Sequence, residues 1–221
     1  MKTTPNLPVI ERRYCPGVVE FRAAEGEGKQ PRIGGYAAKF GTRSENMGYG
    51  EVKFFEIIEP GFFDNVLGDD VRALFNHDAN LILGRTVSKT LRVSQDSTGL
   101  AYEVDADEEQ TYTRDLLRAL QRGDVTQSSF GFSITREGQR WVEEGDTITR
   151  YLLKGGAKRL YDVSPVTYPA YPDATSEARS IHDLIESART LGLLAKGETP
   201  PPSTHDIARR KRQLQLIELE A

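Results

Sequence analysis

Residues Gly123–Ser133 read GDVTQSSFGFS, and the second half of that stretch decides how the chain folds. Phe130, Phe132 and Ile134 alternate with Ser129, Gly131 and Ser133, a period of two that predicts a strand with one face buried. The opposite face is nearly bare. Either another element packs closely against it, or something must approach a serine there. Ser128 shares the phenylalanine face and is expected to point into the core. Ser129 shares the face of Gly131, where missing side chains would let a backbone come close to its hydroxyl.

Similar patterns flank this strand on both sides. GGYAAKFG (34–41), EVKFFEIIEP (51–60), VRALFNH (71–77), GQRWVEE (138–144), TITRYLL (147–153) and RLYDVSPVTY (159–168) all read as strands. KTLRVSQDSTGLAYEVDA (89–106) holds two apolar runs around Asp96-Ser-Thr-Gly99 and predicts a hairpin. PGFFDNVL (60–67) predicts a short helix after Pro60. In TYTRDLLRALQRGD (111–124), Tyr112, Leu116 and Leu120 recur at helical spacing, with Gly123 placed as the stop. Many short strands and a few helices point to a mainly β, α+β fold: a closed or nearly closed antiparallel barrel surrounded by helices.

The ends differ in texture. Residues 1–31 are rich in Pro, Gly and charge and read as a flexible N-terminal extension, leaving 32–175 as the core. Beyond it, 176–221 reads as a helical tail. TSEARSIHDLIESARTLG carries an apolar stripe of Ile181, Leu184, Ile185, Ala188 and Leu191. GETPPPS reads as a linker, and STHDIARRKRQLQLIELEA predicts a last helix with Ser203 as its cap.

Composition narrows the function. A net charge of -4 over 221 residues argues against a general nucleic-acid binder. A lone cysteine, Cys15, excludes an internal disulfide and fits a reducing compartment. No apolar run is long enough to span a bilayer, and the N-terminus shows no secretory signal, so the expectation is a soluble, cytoplasmic protein. Metal-ligand spacing and Gly-rich phosphate loops are absent, which leaves no cofactor and no metal to expect.

A serine becomes a useful nucleophile beside a base, most often histidine. Only three histidines are present. His182 and His205 fall in the tail helices. His77 sits in LFNHDANLILGRT (74–86), where polar residues interrupt two hydrophobic runs, and it can equally be a structural turn residue. An imidazole base needs an acidic group to orient it. Asp162 lies between apolar neighbours and needs a partner, either His77 or an ion pair with Arg159 or Lys158. Asp78 is a rival orienter, although chain neighbours on a strand point to opposite faces.

In their order, these pieces resemble the prohead serine proteases of tailed phages, relatives of the herpesvirus assemblin proteases. The matching stretches are GGYAAKFG, FFEIIEPGFFDNVL running into LFNHDANLILGRT, DSTGLAYEVDA, GDVTQSSFGFS and YDVSPVTYPAYPDATSEAR, covering about 34–179. The resemblance implies that His77 is the general base, Ser129 the nucleophile and Asp162 the third member. Family members often carry Glu at this last position, and the assemblin relatives use a second histidine. Arg159 and Gly131 are the expected oxyanion support. The implied fold is an assemblin-like barrel. The implied activity is that of a serine endopeptidase maturing the prohead from inside it, in the host cytoplasm. Its substrates would be a scaffolding protein or the scaffold-like N-terminal region of the major capsid protein, and the protease itself, with self-cleavage removing the tail. Those capsid proteins are the expected partners, a homodimer is left open, and no membrane is involved. The alternatives are a non-catalytic capsid-assembly scaffold or chaperone module on the same fold, and a metal-dependent hydrolase.

Overall fold

The computed structural model describes residues 10–15, 19–24, 26, 30–168 and 175–196. In chain order the strands are β1 (Glu11–Cys15), β2 (Val19–Arg22), β3 (Arg32–Lys39), β4 (Lys53–Ile58), β5 (Arg72–Phe75), β6 (Asp78–Arg85), β7 (Leu91–Gln95) and β8 (Gly99–Asp105). Helix α1 (Thr111–Arg122) precedes β9 (Gln127–Ile134), β10 (Gln139–Glu144), β11 (Thr147–Leu152) and β12 (Ala157–Val166). Helix α2 (Thr175–Thr190) and β13 (Leu194–Lys196) follow.

These strands make three sheets rather than one closed surface. Their orders are β1-β9-β12-β5-β6, β2-β3-β8-β7 and β13-β10-β11-β4. The expected helix-surrounded, closed antiparallel barrel is therefore wrong. Among the described residues there are two helices, and β12/β5, β11/β4 and β10/β13 pair in parallel. Period-two patterning reports that a segment is a strand. It carries no information on which distant strand lies beside it, and that choice separates open sheets from a barrel.

The main core forms between the first two sheets. Phe130 and Phe132 stack with ring centroids 5.1 Å apart, and Phe63 and Phe62 meet them edge-on at 5.4 and 5.6 Å. Residues 60–68 are not the expected helix but a run of turns, with Phe62, Asp64, Val66 and Asp69 each donating to the carbonyl three residues earlier. Gly61 explains the difference: its φ of +85° is left-handed and cannot continue an α-helix. By contrast α1 follows its pattern. Leu116, Leu117 and Leu120 are buried, and left-handed Gly123 ends the helix with its N–H on the Leu120 carbonyl.

A second core joins Phe54, Trp141 and Ile148 to Ile181, Leu184, Ile185 and Ala188 of α2. Gly192 and Leu193 close α2 by donating to Arg189 and Ala188, and β13 then pairs with β10. Residues 181–188, expected within a detachable tail, are thus part of the packed body. At the other end, β1 and β2 give strands to two sheets from within the stretch 1–31, expected as a flexible extension. The Pro-rich linker and the last helix expected over 203–221 lie outside the described residues.

Candidate active site

Phe75 and Asp78 pair across a two-residue hairpin whose tip is Asn76-His77. Both tip residues are left-handed, with φ of +54° and +57°, as a tight hairpin of this length requires. His77 therefore leaves the strand and is lifted by the turn, rather than extending the Val71-Ala73-Phe75 face. Asn76 fixes the turn in space. Its backbone N–H donates to the Pro165 carbonyl at 3.0 Å, its amide N–H to Thr167 Oγ1 at 3.1 Å, and its Oδ1 accepts the Thr167 N–H at 2.8 Å. The imidazole is thus tied to the end of β12.

Asp162 reaches the same place through a β-bulge. Leu160 faces Phe132 and Val163 faces Phe130, both in the core, while Asp162 is registered with Gly131 and Tyr161 is the extra residue. Without the bulge the carboxylate would turn inward; with it, Asp162 emerges on the Ser129 face. Gly131 makes room for it. A Cβ at 131 would stand 2.5 Å from Asp162 Oδ2, so the bare spot on β9 seats a carboxylate rather than admitting a second molecule.

The three groups then meet in line. Asp162 Oδ1 lies 2.5 Å from His77 Nδ1, and His77 Nε2 lies 2.6 Å from Ser129 Oγ. Ser164, registered opposite Ser129, donates to Asp162 Oδ1 at 2.9 Å. The side chains of His77 and Asp162 are only 12 % and 8 % exposed. A carboxylate accepts but cannot donate, so Nδ1 carries the proton of the neutral ring and Nε2 is left to accept one from a hydroxyl. Such an arrangement can deprotonate the serine as it attacks a carbonyl and hold the imidazolium that results.

Other residues singled out in the sequence go elsewhere. Ser128 is fully buried and shares a 2.8 Å hydrogen bond with the Tyr102 hydroxyl, whose pKa burial pushes up. Asp78 accepts from the Asn80 backbone and side chain. Arg159, expected as oxyanion support, is registered with Ser133, and its guanidinium stands 4.9 Å from the Tyr161 ring centroid, while Asp162 takes His77 rather than the alternative ion pair. His182 is half-exposed against the Tyr49 ring. His205 lies outside the described residues. Among the described residues no three His, Cys, Asp or Glu side chains gather to hold a metal.

Sequence reasoning missed Asn76, Ser164 and the carbonyl of Arg13, which accepts from Ser129 Oγ at 3.0 Å. A signal for the bulge was present. Leu160 and Val163 are three apart, an odd spacing that a regular strand cannot bury on one face.

Comparison with known proteins addresses the same region. Residues 18–186 match the family described as caudovirus prohead serine protease. The chain belongs to that family. It is accordingly a serine protease with a role in the phage prohead. A relative, the prohead protease of Enterobacteria phage HK97, is 28 % identical over 170 residues, covering 75 % of this chain and 68 % of the relative. No solved structure matches the chain.

Proposed function

We propose that this prohead protease cleaves peptide bonds through an acyl-enzyme, with Ser129 as nucleophile, His77 as general base and Asp162 as the residue that orients the imidazole. The observation that carries this reading is the hydrogen-bond line from Asp162 through His77 to Ser129, drawn from three separate segments and no longer than 2.6 Å at either joint. His77 Nε2 takes the hydroxyl proton as Oγ bonds to the scissile carbonyl carbon. The same proton goes to the departing amine as the C–N bond breaks, and water then repeats the sequence to release the acid. Asp162 keeps the proton on Nδ1 throughout.

The substrates are a scaffolding protein or the scaffold-like N-terminal region of the major capsid protein, and the protease itself. Self-cleavage falls in KGETPPPSTHD (196–206), where three consecutive prolines disfavour a helix and so suit a protease cleft. A cut before α2 would instead expose Trp141 and Phe54, which α2 covers.

Intact-mass analysis of the purified protein and of a co-expressed capsid precursor tests the assignment. Wild type and Ser128→Ala should process both, whereas Ser129→Ala should leave both full-length while keeping the wild-type circular dichroism spectrum. Processing by Ser129→Ala at the wild-type rate would overturn it.

A further inference from the structure

β1 stands apart from the other strands in how it is held. Each of the remaining twelve places at least one apolar side chain in, or packed against, one of the two cores, whereas the buried Cys15 of β1 belongs to neither. Beside its backbone pairing with β9, charge fastens β1. Glu11 and Arg13 meet Glu56 and Arg150 in a buried quartet, with Arg150 bonded to both oxygens of Glu11 and to Glu56, and Arg13 bonded to Glu11 and Glu56. Burial alone would raise the Glu56 pKa, but Arg13 and Arg150 outweigh it and hold the carboxyl below its ordinary value. A cavity of about 160 Å³ lies against Arg13, Tyr14 and Cys15, between β1 and residues 42–47. This attachment is separable. Loss of β1 takes one positive and one negative side chain, Arg13 and Glu11, out of the quartet together and leaves Arg150 bonded to Glu56 and to Gln139.

What β1 touches is the serine. It runs antiparallel along the edge of β9, with Tyr14 opposite Ser129 and Arg13 opposite Phe130. The Arg13 carbonyl accepts from Ser129 Oγ at 3.0 Å, on a residue that is 5 % exposed. A hydroxyl has a single proton, so the Arg13 carbonyl competes for it with His77 Nε2. The region matched by the family begins at residue 18, immediately after this segment.

We propose that β1 holds the place of the substrate, so that residues 11–15 act as a built-in competitive inhibitor. An extended peptide enters as an antiparallel strand on the same edge of β9 once β1 leaves. Strand addition supplies main-chain hydrogen bonds, and alternate side chains are read by what lies beneath. Beneath β1 lie Arg150 and Glu56, so the preferred strand carries an acidic residue followed, two positions later, by a basic one. The proposal rests on the Ser129–His77–Asp162 reading.

A recognition sequence for an unrelated protease, inserted after Gly17, lets the chain fold intact before β1 is cut free and washed away. The stripped protein should turn over a peptide substrate at least about tenfold faster than the uncut protein, since the competent fraction rises. A peptide copying residues 9–16 should restore inhibition competitively, and reversing its charges (Glu11→Arg with Arg13→Glu) should abolish that effect. In the full chain, Glu11→Gln should raise turnover. Binding of the labelled 9–16 peptide to stripped Ser129→Ala protein, followed by fluorescence anisotropy, reads the groove without any catalysis.

Unfolding on removal of the segment, unchanged or lower turnover of the stripped protein, or no rebinding of the peptide would each overturn the proposal. A fluorophosphonate that labels Ser129 in the uncut or stripped protein that keeps this serine would show the protease reading still standing. Absence of labelling in both forms that keep Ser129 would strike that reading alone, with peptide binding still deciding on β1.

Discussion

Ser128 and Ser129 are adjacent on β9, yet one shares a hydrogen bond with Tyr102 in the interior and the other faces His77. The same contrast runs along the strand. On the core face Phe130 and Phe132 fit among Phe62 and Phe63, and shape and apolar area are what count there. On the other face Gly131 contributes by having no side chain at all, because Asp162 occupies the space. One face stabilises the sheet, and the other uses that rigidity to hold three polar groups in line. Changes on the first should therefore move stability and leave turnover intact, and changes on the second should do the reverse.

The largest effect expected is that of Asp162→Asn on turnover. With an amide at 162, Nδ1 no longer faces a charge that fixes its proton, and kcat should fall on the order of 10⁴-fold while chemical denaturation is little changed. A purely structural carboxylate would give the opposite result. Next is Phe132→Ala on the core face, which should cost about 3–5 kcal/mol of stability, read as a lower denaturation midpoint. Its remaining folded fraction should cleave at the wild-type rate per active site, counted by fluorophosphonate titration.

Gly131→Ala sharpens the comparison, because it adds a single methyl group to the polar face. The clash at 2.5 Å with Asp162 should shift the carboxylate and lower kcat by about 100-fold, the scale associated with a misplacement near 1 Å. KM should stay near its wild-type value. The smallest effect is that of Ser128→Ala, which leaves the buried Tyr102 hydroxyl without this partner. It should cost about 1–3 kcal/mol of stability, with turnover unchanged.

How much of this was legible in the sequence depends on range. The serine strand, the 96–99 hairpin and α1 follow from patterns a few residues wide, and they form as expected. The choice of Ser129 over Ser128 was likewise local, a matter of which phenylalanines each shares a face with. Sheet order was not legible, because pairing β12 beside β5 in parallel depends on residues some ninety positions apart. Nor was the way His77 and Asp162 come together. The first depends on two consecutive left-handed residues and the Asn76 hydrogen bonds to 165–167, the second on a bulge. Arg159 was named as oxyanion support for its charge and nearness in sequence, and its stacking on the ring of Tyr161 was not legible there. The charge, Pro and Gly of residues 1–31 suggested a flexible extension. Paired with Glu56 and Arg150, the charges of Glu11 and Arg13 are instead the means by which a strand is fastened.

Cys15 adds a practical consequence. It is the chain's single cysteine, and within β1 it is 3 % exposed. A thiol-reactive dye therefore has one address on the whole protein, and that address opens only when the strand detaches. Dye uptake followed over time would clock each release, and comparing that clock with peptide turnover would tell whether unmasking or chemistry sets the pace of maturation.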